Sequence, residues 1–504
     1  MPNKQLIFDH TDGCTFKQDF HPILKSSDFE DVQGDILVPF PKRTEHFCFF
    51  TITDSVEFKK SLAQLLNEGR ISSTRKVAED RANIAAWKDS GRKDLKPVEN
   101  MNISFTYTGL QKLGLDVDKS PSPAGSGLDI LKKGQLADAA DLGDPLDNTT
   151  NLPSQWIDEF KNDHNQIHGT LLIACESGET VEKCKENLKD LLGEHIKIVY
   201  EFQGDVRADE QTKERHSLKD HEHFGWKDGI SNPWLKDVFC KCRRIPGQPA
   251  IDPEIILLRK GPEWAKNGSY LVFRKLAQLV PEFKNFLKEN PVKSFGGRTL
   301  SPEEGADLRG AQFVGRWPMG TPLETPDSEV KEKPDVANDP MRNNDFLFKA
   351  QDQSKCPFSA HIRKMNPRED EDAMKHNGFG KNFLVRQGIA YGKEVTDKEN
   401  QTGITELDRG LAFVSYQSNI HEGFRFQQTM WANNAHFPMT AGVETGLDPL
   451  IGQLTPTRAL AKTFSTKAPN KDSIGLKQFV KPLGGVYCFV PSITTLKQIA
   501  GMKK

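Results

Sequence analysis

The chain has 504 residues, and its 68 basic and 70 acidic side chains leave a formal net charge of −2, which excludes nucleic acid as a partner gripped by charge. Its 36% hydrophobic residues suffice for a large core, yet no run approaches the roughly 18 apolar residues that span a bilayer. Eight cysteines are too few at this length for a disulfide framework.

Residues 1–30 are polar and read as an irregular arm. Met1–Phe20 lacks the apolar stretch of a signal peptide, so the chain as given is expected to be intracellular or a form lacking its leader. Period-two and apolar runs then predict strands at His46–Thr53, Met101–Tyr107, Gly169–Cys175 and His195–Gln203. Helical patterns fall at Val56–Leu66 and Thr180–Leu192, giving the ferredoxin-like order strand, helix, strand, strand, helix, strand over residues 31–223. The turn-rich stretch between the second and third strands, including Asp144–Pro153, reads as inserted loops.

The same order can be traced again over residues 224–504. Strands are expected at Tyr270–Arg274, Phe383–Ile389, Leu411–Tyr416 and Val486–Val490, with helices at Pro281–Glu289 and Ile420–Ala432. The fold class is therefore α+β, two ferredoxin-like halves with antiparallel sheets and long inserted loops. Asp327–Asp345 and Lys393–Asp408 are rich in charged residues and read as exposed connectors. His216, His221 and His223 lie among Arg215, Lys219, Asp220 and Glu222, the pattern of a solvated segment rather than a metal cluster. Cys240-Lys241-Cys242 is too closely spaced for a CxxC redox pair.

Three stretches carry candidate chemistry. In Phe224-Gly225-Trp226-Lys227-Asp228-Gly229-Ile230-Ser231-Asn232-Pro233, one acid stands between two glycines among apolar neighbours, the setting of a desolvated carboxyl. Cys356-Pro357-Phe358-Ser359-Ala360-His361 places one histidine among small residues, and Phe383-Leu384-Val385-Arg386-Gln387-Gly388 a lone arginine in an apolar run. Taken singly they fit a surface turn, a core histidine and a snorkelling arginine.

Together, and in this order with Val32-Gln33-Gly34-Asp35, Gly315-Arg316-Trp317, Gly423-Phe424-Arg425-Phe426 and Gly484-Gly485-Val486-Tyr487, they resemble the dye-decolourising peroxidase family, in its larger fungal-type or related members. The resemblance implies one haem b per chain, held non-covalently, since no CxxCH attachment site exists. It implies His361 as proximal iron ligand backed by Asp448 of Gly446-Leu447-Asp448-Pro449, Asp228 as distal acid–base group and Arg386 as distal charge stabiliser. It also implies Leu411 and Phe413 as distal-wall residues, and Trp431 and Tyr391 as surface electron-transfer aromatics. The partners implied are hydrogen peroxide and aromatic reductants such as dyes and phenols. Two other readings are a haem carrier in which turnover is incidental and a metal-free interaction module on the same scaffold; simple haem binding requires neither Asp228 nor Arg386.

Overall fold

A computed structural model describes residues 28–119, 127–161, 167–207, 218–236, 238–239, 244–325, 331–349, 352–368, 379–438, 445–453, 463–464 and 474–502. Most of the expected arm, together with His216 and Cys240–Cys242, lies outside them.

The first half builds an antiparallel sheet from β1 (Thr44–Ile52), β2 (Glu99–Phe105), β3 (Gly169–Cys175) and β4 (Ile196–Asp205), in the spatial order β4-β1-β3-β2. The second half repeats that order with β5 (Ser269–Gln278), β6 and β7 (Val385–Arg386 and Ile389–Gly392), β8 (Arg409–Gln417) and β9 (Val480–Val490). Both sheets are the expected ferredoxin-like arrangement. They are not separate, however: β7 meets β4 through Tyr391 and Gly204, and β9 meets β2 through Phe489 and Phe105, so the two sheets close into one barrel.

Alternation along the strands decides what each face does. Phe47 and Phe49 of β1, Phe273 of β5, and Val414 and Tyr416 of β8 point inward and share one core, with Phe49 and Phe273 rings 4.8 Å apart. Burying each such side chain contributes about 1.5–3 kcal/mol. Helices cover the outer faces. Ser55–Asn67 starts at Asp54, which accepts from the amides of Val56 and Glu57, and Gly178–Leu192 starts at Ser177, capping Thr180. Their apolar stripes, Phe58/Leu62/Leu65 and Val181/Cys184/Leu188/Leu192, seal the back of the first sheet. On the second sheet the outward residues Arg274, Leu276 and Gln278 of β5 and Leu411 and Phe413 of β8 instead face a cavity.

Four local expectations need correction. The stretch between β2 and β3, expected as inserted loops, carries the helices Tyr107–Lys112, Gly127–Lys133 and Gln135–Leu142. The strand expected over Phe383–Ile389 breaks at Gln387-Gly388: Gln387 donates to Val414, while a Cβ on residue 388 would lie 2.7 Å from the Ala412 carbonyl. The connectors are not simply solvated, because Glu399 is buried against Arg409 at 2.6 Å, and Asn343 and Asn344 are buried as well. His223 is also buried, its Nε2 2.8 Å from the Tyr391 carbonyl, although among the described residues no group of His, Cys, Asp and Glu is arranged to hold a metal ion.

Candidate active site

Asp228 owes its place to the residues before it. Gly225 and Gly229 have φ of 107° and 80°, which bend the chain sharply on both sides. Glu222 accepts from the amides of Phe224 and Trp226, both at 2.8 Å, and stitches the turn together. The Phe224 and Trp226 rings pack on Phe283, and Trp226 Nε1 donates to the Arg316 carbonyl at 2.7 Å. With both flanking aromatics anchored, the carboxylate is held at the cavity edge.

There it meets Arg386. Nη1 of Arg386 donates to Asp228 Oδ1 at 2.8 Å, and the Gly229 amide donates to the same oxygen at 2.6 Å. Asp228 Oδ2 accepts nothing from the described residues and is the free acceptor. The pair is only partly enclosed, with 41% of the Asp228 side chain and 31% of the Arg386 side chain accessible, because both border the cavity. Burial pushes the Asp228 pKa up, but the Arg386 charge and the two hydrogen bonds outweigh it and hold the group below the ordinary carboxyl value.

His361 opens the short helix His361–Met365 and lines the same cavity. Its Nδ1 lies 2.8 Å from Asp448 Oδ2, and Asp448 Oδ1 accepts from the amides of Leu450 and Ile451 at 2.9 and 3.0 Å. A carboxylate fixed in this way requires Nδ1 to carry the proton, which leaves the Nε2 lone pair for a metal. Burial alone would lower the imidazole pKa; the Asp448 charge and hydrogen bond raise it above the ordinary value, while Arg386 opposes and Asp228 assists across the cavity.

The cavity holds ≈ 1730 Å³ of empty space, counting its open mouth. Leu384, Leu411, Phe413, Phe424, Ile362 and Met365 give it apolar walls. Two further cations line it. Arg316 donates to the Gly320 and Asn343 carbonyls and to Asn344 Oδ1; Arg368 donates to the Asn344 and Phe346 carbonyls and to the same Oδ1. Among the described residues neither contacts a carboxylate, and burial, with the charge of Arg368 adding to it at Arg316, lowers their pKa values to about 9 and about 10. A planar apolar ligand carrying its own carboxylates, with a metal for His361 Nε2, suits these walls, and haem is such a ligand.

A fourth arginine stands on the same wall. Arg274, opposite Phe413 across β5 and β8, donates through Nη2 to both oxygens of Asp144 at 2.8 and 2.7 Å, and Trp156 Nε1 donates to Asp144 at 2.9 Å.

These sites sit in a chain whose relatives are identifiable. The family models described as "DyP dimeric alpha+beta barrel domain" and "Dyp-type peroxidase, C-terminal" match residues 31–208 and 219–438. Peroxidase 2 of Mycetinis scorodonius is 37% identical, covering 93% of this chain and 86% of that protein, and a dye-decolorizing peroxidase of Mycena epipterygia is 35% identical, covering 94% and 87%. Among solved structures, an ancestral D-type dye decolorizing peroxidase superposes with a TM-score of 0.81 at 41% identity, covering 94% of this chain and 99% of that one. A dye-decolorizing peroxidase in complex with 2,6-dimethoxyphenol gives 0.79 at 35% identity, with the same coverages. The chain belongs to the dye-decolourising peroxidase family and is a peroxidase.

Of the residues singled out in the sequence, Asp228, Arg386, His361, Leu411 and Phe413 border one cavity, with Asp448 directly behind His361. Trp431 and Tyr391 do not lie at the surface as expected. Trp431 is buried between Phe437, stacked at 5.3 Å, and Phe426, edge-on at 5.7 Å. Its carbonyl and those of Asn434 and Phe437 accept from the buried Lys364 ammonium, which fastens the indole's segment to the His361 helix. Tyr391 faces the barrel interior, and its hydroxyl donates to Asp408, whose side chain is half exposed. The roles of Asp144, Arg274 and Asn344 were not seen in the sequence. Arg316 stands inside Gly315-Arg316-Trp317 and Arg368 seven residues after His361, but that neither has an acidic partner shows only in the fold.

Proposed function

We propose that this peroxidase holds one haem b non-covalently between His361 and the Asp228–Arg386 pair, and uses hydrogen peroxide to oxidise phenols and dyes. The observation that carries the assignment is the opposition, across one apolar cavity, of an imidazole fixed by a carboxylate and a carboxylate paired with an arginine. Bound haem would supply the redox chemistry, its iron accepting the oxidising equivalents of the peroxide.

The side chains would do the rest. His361 offers Nε2 as iron ligand while Asp448 retains the Nδ1 proton and keeps the ring electron-rich. Arg316 and Arg368 would meet the haem carboxylates. Asp228 Oδ2, the oxygen without a partner, takes a proton from the incoming peroxide and returns it to the departing oxygen. Arg386 stabilises negative charge on that oxygen as the O–O bond breaks. With haem bound, Leu411 and Phe413 would narrow this side of the cavity, so bulky dyes would give up electrons elsewhere. Trp431 is the nearer candidate for that relay, since hydrogen bonds from Lys364, three residues after His361, and from the Asp448 amide to Ala432 tie its segment to the proximal side.

A haem carrier would need His361 and Asp448 alone, and the ordered distal pair argues against that reading. The test is an absorption spectrum of the purified, haem-loaded protein before and after one equivalent of peroxide, with His361→Ala alongside. The parent should show a Soret band that changes at once on mixing, and the variant should lose most of its haem. A normal spectrum and turnover in His361→Ala would remove His361 as the ligand, and an inert parent spectrum would remove the peroxidase assignment.

A further inference from the structure

Arg386 sits on β6, a strand of two residues, and faces Ser415 of β8 on one side. In an antiparallel ladder the N–H and C=O of one residue point to the same side. The neighbouring Gln387 amide bonds to Val414 of β8, so both polar groups of Arg386 point away from that strand, where none of the described strands pairs with them. The Asn232 side chain stands there instead. Its Nδ2 donates to the Arg386 carbonyl at 2.9 Å, and its Oδ1 accepts from the Arg386 amide at 3.2 Å. One amide side chain therefore supplies the two bonds that a neighbouring strand would have made.

Asn232 is itself fixed. Its carbonyl accepts from Gln248 Nε2 at 2.6 Å, and the adjacent Ser231 hydroxyl donates to Asn344 Oδ1 at 3.0 Å. It lies four residues after Asp228 on the same loop, so one short segment carries the distal carboxylate and grips the backbone of the distal arginine. Just beyond, Lys42 Nζ donates to the Gln387 carbonyl at 2.6 Å and holds the far side of the strand break.

We propose that Asn232 is a positioning residue which, by replacing a missing strand, sets the Arg386 guanidinium against Asp228 Oδ1. The inference rests on the distal roles proposed above for Asp228 and Arg386. Without the amide, the Arg386 backbone would move to find other partners, and the guanidinium would leave the geometry in which it supports peroxide cleavage.

The experiment is a double-mutant cycle on the haem-loaded enzyme, with Asn232→Ala, Arg386→Leu and the double variant mixed with peroxide by stopped flow across pH. Haem content and melting temperature serve as controls, and hydrogen exchange of peptides covering residues 383–388 as an independent readout. Asn232→Ala should slow the first spectral change by about 10²-fold, the usual penalty of a small misplacement. It should also move the acid limb of the profile upward and speed exchange at residues 383–388. In the Arg386→Leu background it should add nothing, because its effect passes through Arg386. A parent-like rate in Asn232→Ala, or losses that multiply in the double variant, would overturn the proposal while leaving the peroxidase reading intact. An unimpaired Arg386→Leu would overturn both the proposal and the distal role given to Arg386, and the peroxidase activity itself would stand. Should Asn232→Ala not fold, Asn232→Asp keeps the shape and the bond from the Arg386 amide but not the donation to its carbonyl. The same non-additive loss is then expected, and its absence would equally overturn the proposal.

Discussion

Two arginine–aspartate pairs have their arginines on one cavity wall, on either side of the strand that carries Phe413, and they differ in everything except composition. Arg274 and Asp144 are sealed, with 3% and 1% of their side chains accessible, and both oxygens of the carboxylate are engaged. Arg386 and Asp228 are partly open, and only Oδ1 is engaged. Burial dominates at Asp144 and raises its pKa despite the arginine, whereas at Asp228 the arginine and the hydrogen bonds together prevail and lower it. On the function proposed above, the same two functional groups make a structural tie when water is excluded and a proton-handling site when one oxygen faces a cavity. The number of oxygens left unbonded, not the residue types, separates the two.

The sharpest break in the comparison is Asp228→Asn. It should slow the reaction with peroxide by roughly 10²–10⁴-fold, the range of lost acid–base help, while thermal or denaturant unfolding stays close to the parent. A large loss of stability with normal peroxide kinetics would invert the assignment. Asp144→Ala should do the opposite, costing about 3–5 kcal/mol of folding free energy by denaturant titration, because a buried guanidinium loses its counter-charge. Replacing Arg274 and Asp144 together with apolar residues of similar volume should recover most of that loss.

A smaller effect concerns pH. The depressed Asp228 pKa keeps the carboxylate charged below the ordinary value of about 3.9, so the peroxide step should persist near pH 4 and fail only below it. Its contribution to stability has the same sign, present above the unfolded pKa and lost as pH falls through the folded one. Arg386→Leu removes the main lowering influence and leaves burial opposed chiefly by the Gly229 amide, so the acid limb measured by stopped flow should shift upward. A limb that stays in place would mean that another group titrates there. The smallest effect is expected from Trp431→Phe, which touches neither pair: oxidation of a bulky dye should fall severalfold with the peroxide step unchanged. Equal loss toward small and bulky reductants would indicate packing damage around Phe437 instead.

The sequence disclosed the open pair and concealed the sealed one. Asp228 and His361 stand in motifs whose glycines and small residues are needed to turn a side chain into a cavity, and such local requirements leave a local trace. Asp144 lies 130 residues from Arg274, in a turn-rich stretch with no motif of its own, so its partner is set by tertiary packing alone. Asn344 was hidden differently, in a polar segment whose composition suggests exposure although its amide serves two buried arginines. The strand order was readable in both halves because alternation and helix stripes are local. Their closure into one barrel was not, since it depends on single residue pairs at two seams. The inward turn of Trp431 and Tyr391 likewise depends on neighbours distant in the chain.

Those two seams have a further consequence. Tyr391 with Gly204 and Phe105 with Phe489 are the only strand-register pairs between the halves among the described residues, while the Phe49–Phe273 cluster and the Asp144–Arg274 and Asp138–Arg425 ion pairs cross between them through side chains. Covalent continuity aside, the molecule is built like a heterodimer of its own two sheets, joined by an apolar interface with the sealed Asp144–Arg274 pair as a key. Supplied as separate polypeptides, the halves would have to find each other through that interface, and the link between Asp144 and Arg274 would become an intermolecular one.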